Sequence, residues 1–262
     1  MITVTQLLVY PFKSCKGVSV NQTGFDTEGM LNDRRLMAVD EDGTFVTGRR
    51  NPELLQLECN LTADGWKLSH PEQATNCIIK NSDTSITGQI WRDTFDALDG
   101  GDEAADWMSS ALGKTCRVAL WKPKARHSAK YSLDTSFADA APILIASEAS
   151  MKQGCDWAGI PYDIRRFRPN IVIDGVEAFE EEKWQNLRIG NTEFKMLDAC
   201  SRCILTTRDP DTGEPHPDKQ PMKVLMQKHT DESGQPTMGM NTTVASDIGT
   251  ASISVGDTIE LL

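Results

Sequence analysis

The residue types best suited to chemistry are concentrated in one segment of the chain, where two cysteines flank an arginine. Cys200 and Cys203 are separated by two residues, and one of these is Arg202. A cationic neighbour favours the thiolate form of cysteine, and thiolates are soft ligands that suit redox metals. The residues alone leave two readings open: a reactive or metal-binding thiol, and two structural thiols on a buried strand.

Two common uses of a C-x-x-C pair lack their usual surroundings in this sequence. A structural zinc site takes four ligands, and the chain has neither a second C-x-x-C nor a paired histidine motif. A thioredoxin-like redox pair precedes a helix, whereas residues 204–207 are β-prone and predict a short strand. Residues 209–213 then predict a turn that ends this strand.

Basic residues are the second chemical feature, because the chain as a whole is acidic. Its 262 residues include 27 basic and 38 acidic side chains, for a net charge of -11. That balance disfavours general binding to nucleic acid or to an anionic membrane. Arginine and lysine bind phosphate well when they cluster, although each one alone is more often a solvated charge or an ion-pair partner. The candidates are Lys13, Lys16, Arg34, Arg35, Arg49, Arg50, Arg165, Arg166, Arg168 and Arg202.

Several other protein classes lack their sequence signatures. The four histidines show no metal-ligand spacing, and the dinucleotide-binding, P-loop and nucleophile-elbow motifs are absent. No apolar run is long enough to cross a bilayer. Seven scattered cysteines do not resemble a secreted disulfide framework. We therefore expect a cytoplasmic protein with no nucleic-acid or membrane partner.

The elements that must position these residues are predicted to be mostly short strands. Many β-prone runs, three or four helices and no regular strand–helix alternation favour a mainly β or α+β architecture rich in β-barrel structure. The predicted helices cover residues 104–112 with Gly113 as C-cap, residues from the N-cap Ser147 to about 157, and residues 221–228. A soft boundary near residue 122 divides the chain into two predicted domains, 1–122 and 123–262.

Three motifs resemble those of a known family. Residues 10–17, Tyr-Pro-Phe-Lys-Ser-Cys-Lys-Gly, resemble the opening of the MOSC N-terminal β-barrel domain. Arg168-Pro169-Asn170-Ile171 and Cys200-Ser201-Arg202-Cys203, followed by Thr206 and residues 209–213, resemble the MOSC domain itself. The motifs appear in the same order as in the amidoxime-reducing components and their bacterial relatives, and the resemblance covers nearly the whole chain. The resemblance implies a β-barrel-like N-terminal domain packed on a MOSC β-barrel with flanking helices.

The resemblance also implies a cofactor, the molybdenum cofactor (Mo-molybdopterin), and the residues that bind it. Cys203, the cysteine directly after the arginine, would be the catalytic thiolate ligand of molybdenum, with Cys200 as a neighbour. The other residues that the resemblance assigns to cofactor binding are Lys13, Ser14, Arg34, Arg168, Asn170, Ser201, Arg202 and Asn241.

The implied activity is reduction of small N-hydroxylated compounds such as amidoximes. The sequence contains no cysteine-rich iron–sulfur motif, so we expect electrons from a separate iron–sulfur or haem protein. No pyridoxal-phosphate domain is expected. The alternative function is a carrier of molybdenum cofactor, or of sulfur as a Cys203 persulfide, without turnover of its own. A β-rich binding module with incidental thiols is the third hypothesis.

Overall fold

The computed structural model describes residues 1–80, 82–245 and 248–262, and strands make up most of its regular structure. The strands are β1 (Thr3–Val9), β2 (Val18–Val20), β3 (Gln22–Asp26), β4 (Gly29–Met30), β5 (Leu36–Val39), β6 (Glu58–Thr62), β7 (Gly65–Ser69), β8 (Cys77–Ile79), β9 (Ser85–Ile90), β10 (Asp93–Asp99), β11 (Arg117–Leu120), β12 (His127–Ser128), β13 (Leu133–Asp134), β14 (Ile143–Ser147), β15 (Ile171–Asp174), β16 (Asn186–Ile189), β17 (Thr192–Ser201), β18 (Thr237–Val244), β19 (Ser252–Ser254) and β20 (Ile259–Leu261). This strand content confirms the predicted mainly β or α+β class.

The predicted helices are confirmed, with small shifts at their ends. They are α1 (Asp102–Leu112), α2 (Glu148–Ala158) and α3 (Met222–Lys228). Gly113 ends α1 in the left-handed conformation, with φ of 60°. Among the helices in the described ranges, none has both the length and the apolar character needed to span a bilayer. Short 3₁₀ helices cover Pro52–Gln56, Ile164–Arg166, Glu180–Lys183, Ile204–Thr207 and Ile248–Thr250.

The central feature is an eight-stranded sheet that contains strands from both parts of the chain. Its order is β2-β1-β15-β14-β18-β17-β16-β20, and β14 and β15 are its parallel pair. The strand β1 lies antiparallel to β15, with Leu7 opposite Ile171. The smaller sheets have the orders β5-β11-β10-β9, β6-β7-β8, β19-β3-β4 and β12-β13. The boundary near residue 122 stays a prediction, since β1 and β2 share a sheet with the later strands.

The expected β-barrel-like domain and MOSC β-barrel are not closed barrels, because the sheets are open over the described ranges. The strand β20 approaches β1 only at one end, where Thr3 bridges Thr258 and the amide of Ile259 donates to the carbonyl of Ile2 at 3.0 Å. Farther along, the same strand pairs with β2, with Leu7 opposite Val20. In this register the residues that would continue the ladder along β1 are those of β19, and they pair with β3 instead while β2 occupies the edge.

The inner strands of the central sheet are buried on both faces, and this explains their continuous apolar runs. In β1, Leu7 packs into one cluster with Ile171 and Ile173, whereas Leu8 packs into another with Val172. Successive side chains of a strand point to opposite faces, so each cluster covers one face. The second cluster also contains residues of the first part of the chain, including α1. The first part of the chain thus covers one face of the sheet.

The sheet brings the predicted chemical segments towards one another. The loop of residues 10–17 follows β1, and residues 168–170 precede the adjacent β15. On the neighbouring strands, Asn241 of β18 lies opposite both Leu144 of β14 and Asp198 of β17. Two register shifts interrupt the end of β17, and the second lies at Cys200. Such bulges bend a strand and re-aim its side chains.

The N-cap of α2 offers a test of the fold. The hydroxyl of Ser147 accepts a hydrogen bond from the amide of Ser150 and donates to the buried carboxylate of Glu181, both at 3.0 Å. We expect Ser147→Ala to lower the free energy of unfolding by about 1–3 kcal/mol, because it removes the cap and one donor to a buried carboxylate. Urea unfolding measures this change. The matched control Ser19→Ala alters an exposed serine of β2 and should change stability by less than about 0.5 kcal/mol; equal losses would contradict the assignment.

Candidate functional site

The nine residues predicted to bind the cofactor all line one cleft. Its volume is about 920 Å³, including open solvent at its mouth. Six basic side chains and one carboxylate contribute to its walls, in contrast to the acidic chain as a whole. The role of each residue in binding a cofactor stays a prediction. The nine are Lys13, Ser14, Arg34, Arg168, Asn170, Ser201, Arg202, Cys203 and Asn241.

Lys13 and Ser14 enter the cleft from the loop that follows β1. The Nζ of Lys13 donates to the carbonyl of Phe137 at 2.7 Å and to Oδ1 of Asp139 at 2.8 Å. Burial lowers the pKa of Lys13 to about 8, although attraction to Asp139 opposes this effect. The Oγ of Ser14 accepts a hydrogen bond from the amide of Gly48 at 3.1 Å. This part of the wall therefore contains a buried amine with a pKa of about 8.

Arg34 and Arg168 stack on the same aromatic ring. Their guanidinium carbons lie 4.5 and 4.1 Å from the ring centroid of Tyr10. Burial lowers the pKa of Arg168, and the nearby positive charge of Arg34 adds to this effect. For Arg34, burial lowers the pKa, but attraction and a hydrogen bond to Asp33, together with Tyr10 and Asp139, outweigh it, so the pKa is raised. Two like charges are thus held together at the wall of the cleft, an arrangement that a bound anion would stabilise.

Three of the predicted site residues adopt a left-handed backbone conformation. The φ angles are 73° for Ser14, 48° for Arg34 and 54° for Arg168. This conformation is uncommon for residues other than glycine, and such strain is concentrated at functional sites in proteins. The surrounding structure holds all three residues in this conformation at the wall of one cleft, which indicates a functional constraint on their side-chain directions.

Asn170 uses all of its side-chain hydrogen-bonding capacity within the protein. Its Nδ2 donates to the carbonyl of Leu8 and to Oδ1 of Asp33, both at 3.1 Å. Its Oδ1 accepts from the amide of Leu144 at 3.1 Å and from Nη1 of Arg34 at 2.9 Å. These bonds satisfy both donor hydrogens and both acceptor sites. The geometry therefore favours a role for Asn170 in positioning Arg34.

Cys203 lies immediately before a 3₁₀ helix, so the predicted strand at residues 204–207 is wrong. The hydroxyl of Thr206 donates to the carbonyl of Cys203 at 3.0 Å, and that of Thr207 donates to the carbonyl of Ile204 at 2.7 Å. Such local side-chain bonds compete with strand pairing and outweigh the β propensity of these residues. Cys203 itself keeps an extended backbone at the start of this turn.

The two thiols of the C-x-x-C pair have different surroundings. Arg202 donates from Nη1 to Sγ of Cys200 at 3.1 Å and from Nη2 to the carbonyl of Phe167 at 2.6 Å. The guanidinium contact expected for this motif is therefore made by Cys200. Within the ranges described, the thiol of Cys203 forms no hydrogen bond, and its side chain lines the cleft. Cys203 is thus the thiol left available to a ligand.

Asn241 belongs to a polar network at another wall of the cleft. Its Nδ2 donates to the hydroxyl of Tyr131 at 3.0 Å and to Oδ1 of Asp198 at 2.8 Å. The Tyr131 hydroxyl donates to Asp198 at 2.6 Å, and Nζ of Lys130 reaches the same carboxylate at 2.8 Å. Burial and Asp198 raise the pKa of Tyr131. Ser201 is exposed and completes the lining of the cleft.

Three charged residues that line the cleft are absent from the predicted site. Arg166 belongs to the basic cluster that the sequence analysis singled out, so its signal was present. Lys130 and Asp139 lie in a polar stretch with no recognisable motif. Asp139 binds Lys13 and also approaches Arg49 at 3.4 Å, a contact between distant segments of the chain. Although burial would raise the pKa of Asp139, Lys13 and Arg49 hold it well below its usual range.

The residues of the cleft fit an anionic group placed beside a soft metal ligand. The Nε atoms of Arg166 and Arg202 are buried and have no hydrogen-bond partner in the described part of the chain. Both arginines line the cleft together with the thiols of Cys200 and Cys203. Positive charge, unused donors and a free thiol are the groups that a phosphorylated, metal-containing cofactor requires.

Comparison with known proteins agrees with the family resemblance and with the fold class. Residues 1–115 match the family model of the MOSC N-terminal beta barrel domain, and residues 132–260 match that of the MOSC domain. Mitochondrial amidoxime reducing component 2 of Bos taurus is 37% identical over 80% of this chain and 68% of its own length. Mitochondrial amidoxime-reducing component 1 of Homo sapiens is 34% identical to this chain, over 80% of this chain and 67% of its own length. Mitochondrial amidoxime-reducing component 1 of Danio rerio is 31% identical to this chain, over 85% of this chain and 73% of its own length.

The chain is therefore a MOSC protein with a MOSC N-terminal domain. Its basic cleft contains a free thiol and lies beside an open sheet that both parts of the chain build. Within that class, the chain belongs to the family that includes the amidoxime-reducing components.

The bonds of Asn170 predict a large effect of its removal on stability. We expect Asn170→Ala to lower the free energy of unfolding by about 2–4 kcal/mol, because buried groups of Leu8, Asp33 and Leu144 each lose a partner. Denaturant unfolding provides the measurement. The control Asn76→Ala changes an exposed asparagine and should cost less than about 0.5 kcal/mol. Comparable losses in the two variants would exclude this role.

The lowered pKa of Lys13 predicts a pH-dependent affinity of the cleft for anions. Lys13 is charged below pH 8 and loses its charge as the pH rises through about 8. A phosphate monoester, whose second pKa is about 6, keeps its charge in this range. We expect the affinity for phenyl phosphate to fall above pH 8, by up to about tenfold per pH unit. Calorimetric titration between pH 7 and 9.5 measures this, and Lys13→Met should abolish the fall. An equal fall in the variant would assign it to another group.

Proposed function

We propose that this chain binds the molybdenum cofactor in the cleft and reduces small N-hydroxylated compounds. The observation that carries the proposal is the free thiol of Cys203 in a cleft that is lined by six basic side chains. Family membership supports it, because the similar curated proteins are named amidoxime-reducing components. The proposal accounts for a strongly basic site in an acidic protein.

Each wall of the cleft has a separate task in this proposal. Lys13, Ser14, Arg34 and Arg168 would hold the phosphate of the cofactor, with Asn170 fixing the direction of Arg34. Ser201, Arg202 and Asn241 would contact the pterin portion. Cys203 would bind molybdenum through its thiolate, a soft ligand that suits a redox metal. The bound cofactor would supply the two-electron redox chemistry that these side chains lack.

The overall reaction is the two-electron reduction of an N–O bond. An amidoxime, two electrons and two protons give an amidine and one water. The electrons would come from a separate iron–sulfur or haem protein. Lys130, whose exposed Nζ is bound to Asp198 at 2.8 Å, would add a positive charge at the wall of the cleft.

We also propose a cytoplasmic location for this activity. All seven cysteines are free thiols, as a reducing compartment favours.

The two neighbouring thiols provide a matched pair of variants for the proposed function. We expect Cys203→Ala to lower the rate of benzamidoxime reduction more than about 100-fold, since the lost thiolate acts directly at the reacting centre. Cys200→Ala should keep most of the activity, because it removes only a contact with Arg202. A reduced dye as electron donor makes the assay independent of the natural partner. Equal losses in both variants would exclude Cys203 as the specific ligand.

Metal and pterin analysis of protein from a cofactor-competent host tests the function as a whole. Stoichiometric molybdenum with turnover of benzamidoxime is the expected result. Weakly bound cofactor without turnover would instead support a carrier of cofactor or sulfur. Failure to bind molybdopterin would favour a binding module with incidental thiols.

A further inference from the structure

A second cavity lies beside the cleft and shares part of its wall. Its volume is about 540 Å³, including open solvent. Five basic residues and no carboxylate line it, although the chain has a net charge of -11. Arg166 and Arg168 line both cavities, whereas Arg208 lines only the second. We call the second cavity the arginine pocket, after Arg166, Arg168 and Arg208.

The charges of these three arginines are poorly neutralised by the protein. Arg208 donates to the carbonyls of Gly213 at 2.8 Å and Arg49 at 2.9 Å, and Arg168 donates to that of Cys15 at 2.6 Å. Over the described ranges, neither has a carboxylate partner. Arg166 has one carboxylate, Asp209, at 3.7 Å. By contrast, Arg165, the fourth arginine of the lining, binds two aspartates at 2.6 and 2.7 Å.

Two of the guanidinium groups also retain unused donors. The Nε atoms of Arg166 and Arg208 are buried without a hydrogen-bond partner in the part of the chain that is described. Arg166 donates from Nη1 to the backbone carbonyl of Arg208 at 2.7 Å, so the two side chains belong to one arrangement. Buried donors that lack an acceptor are rare in proteins and call for an explanation such as a ligand.

The rest of the pocket is apolar and partly aromatic. Tyr10 contributes its ring, above which the guanidinium carbon of Arg168 lies at 4.1 Å, and Leu55 and Leu205 contribute aliphatic surface. Gly17 also lines the pocket, and a Cβ there would lie only 2.7 Å from the Tyr10 ring. The pocket therefore combines guanidinium groups, which suit a phosphate, with surface that suits an apolar or aromatic substituent.

We propose that the arginine pocket is a second anion site, which binds a phosphate ester with an apolar or aromatic substituent. Its phosphate lies against Arg166, Arg168 and Arg208, and its substituent against Leu55 and Leu205. The phosphate belongs either to an extension of the cofactor or to a separate small molecule. The site goes beyond the proposed function, since it requires neither molybdenum nor turnover.

Calorimetric titration of cofactor-free protein with phenyl phosphate tests the proposal. Wild-type protein should show an Arg208-dependent site in addition to the cleft. We expect Arg208→Gln to weaken this site at least about tenfold, the cost of losing one charged hydrogen-bonding group. Lys130→Gln, which removes a charge that lines only the cleft, should leave it unchanged. Inorganic phosphate, which lacks the aromatic ring, should bind the site more weakly. Unchanged binding in Arg208→Gln would overturn the proposal.

A surface variant separates binding from folding, because Arg208 also donates to two backbone carbonyls. Lys16 lines the pocket and pairs with the exposed Glu58 at 3.1 Å. Lys16→Glu should weaken phenyl phosphate binding severalfold at an unchanged melting temperature. The matched control Lys114→Glu changes a lysine that also pairs with a carboxylate, Asp40, but lines neither cavity. Equal effects of the two variants would show a general charge effect and overturn the site.

Cofactor-loaded protein distinguishes the two sources of the phosphate. If the Arg208-dependent binding of phenyl phosphate disappears on loading, the cofactor itself occupies the pocket. If it persists, the ligand is a separate phosphate ester. Both results require the Arg208-dependent site, whose absence from cofactor-free protein overturns the proposal. Loss of amidoxime reduction with this site intact would instead affect only the proposed function.

Discussion

The arrangement of the cleft depends on a pair of buried polar side chains, Asp33 and Asn170. Asp33 accepts hydrogen bonds from the amide of Tyr10 at 2.9 Å and from Asn170 at 3.1 Å, and it pairs with Arg34. Both residues are about 1% exposed. Burial of such groups is costly unless every donor and acceptor is paired, so the arrangement is stable only when all partners are present. This requirement fixes the loop after β1, the turn before β5 and the segment before β15 relative to one another.

The same constraint explains how the protein maintains concentrated positive charge. Asp33 lies beside Arg34 and favours its charged form, whereas Arg168 has carbonyl and aromatic neighbours and a lowered pKa. Left-handed backbone at Ser14, Arg34 and Arg168 adds local strain, which the packing of the central sheet offsets. A site built this way is preorganised for an anion, because the repulsion among its charges is already part of the free energy of folding.

The sequence predicts the features of this fold that depend on local chemistry. The caps at Ser147 and Gly113 locate two helices, and alternating or continuous apolar runs locate most strands. Barrel closure could not be predicted, because it depends on whether β2 or the segment that includes β19 occupies one edge of β1. Residues 204–207 form a 3₁₀ turn, since hydroxyl bonds to nearby carbonyls outweigh β propensity. Three-dimensional contacts decide which strand pairs with a given sheet edge and which donor binds a given carbonyl. A local sequence pattern does not contain these contacts.

The candidate site shows the same division between motif and surroundings. The sequence identified the thiols and the basic loops, and all nine of the predicted residues line one cleft. It could not identify Asp139, whose partner Lys13 is distant in sequence, nor the saturation of Asn170 by four partners. The C-x-x-C spacing alone does not distinguish the two cysteines. In the structure the side chain of Arg202 donates to Cys200 and to the carbonyl of Phe167. Because one guanidinium cannot serve both thiols through these contacts, the fold itself makes the two cysteines chemically different.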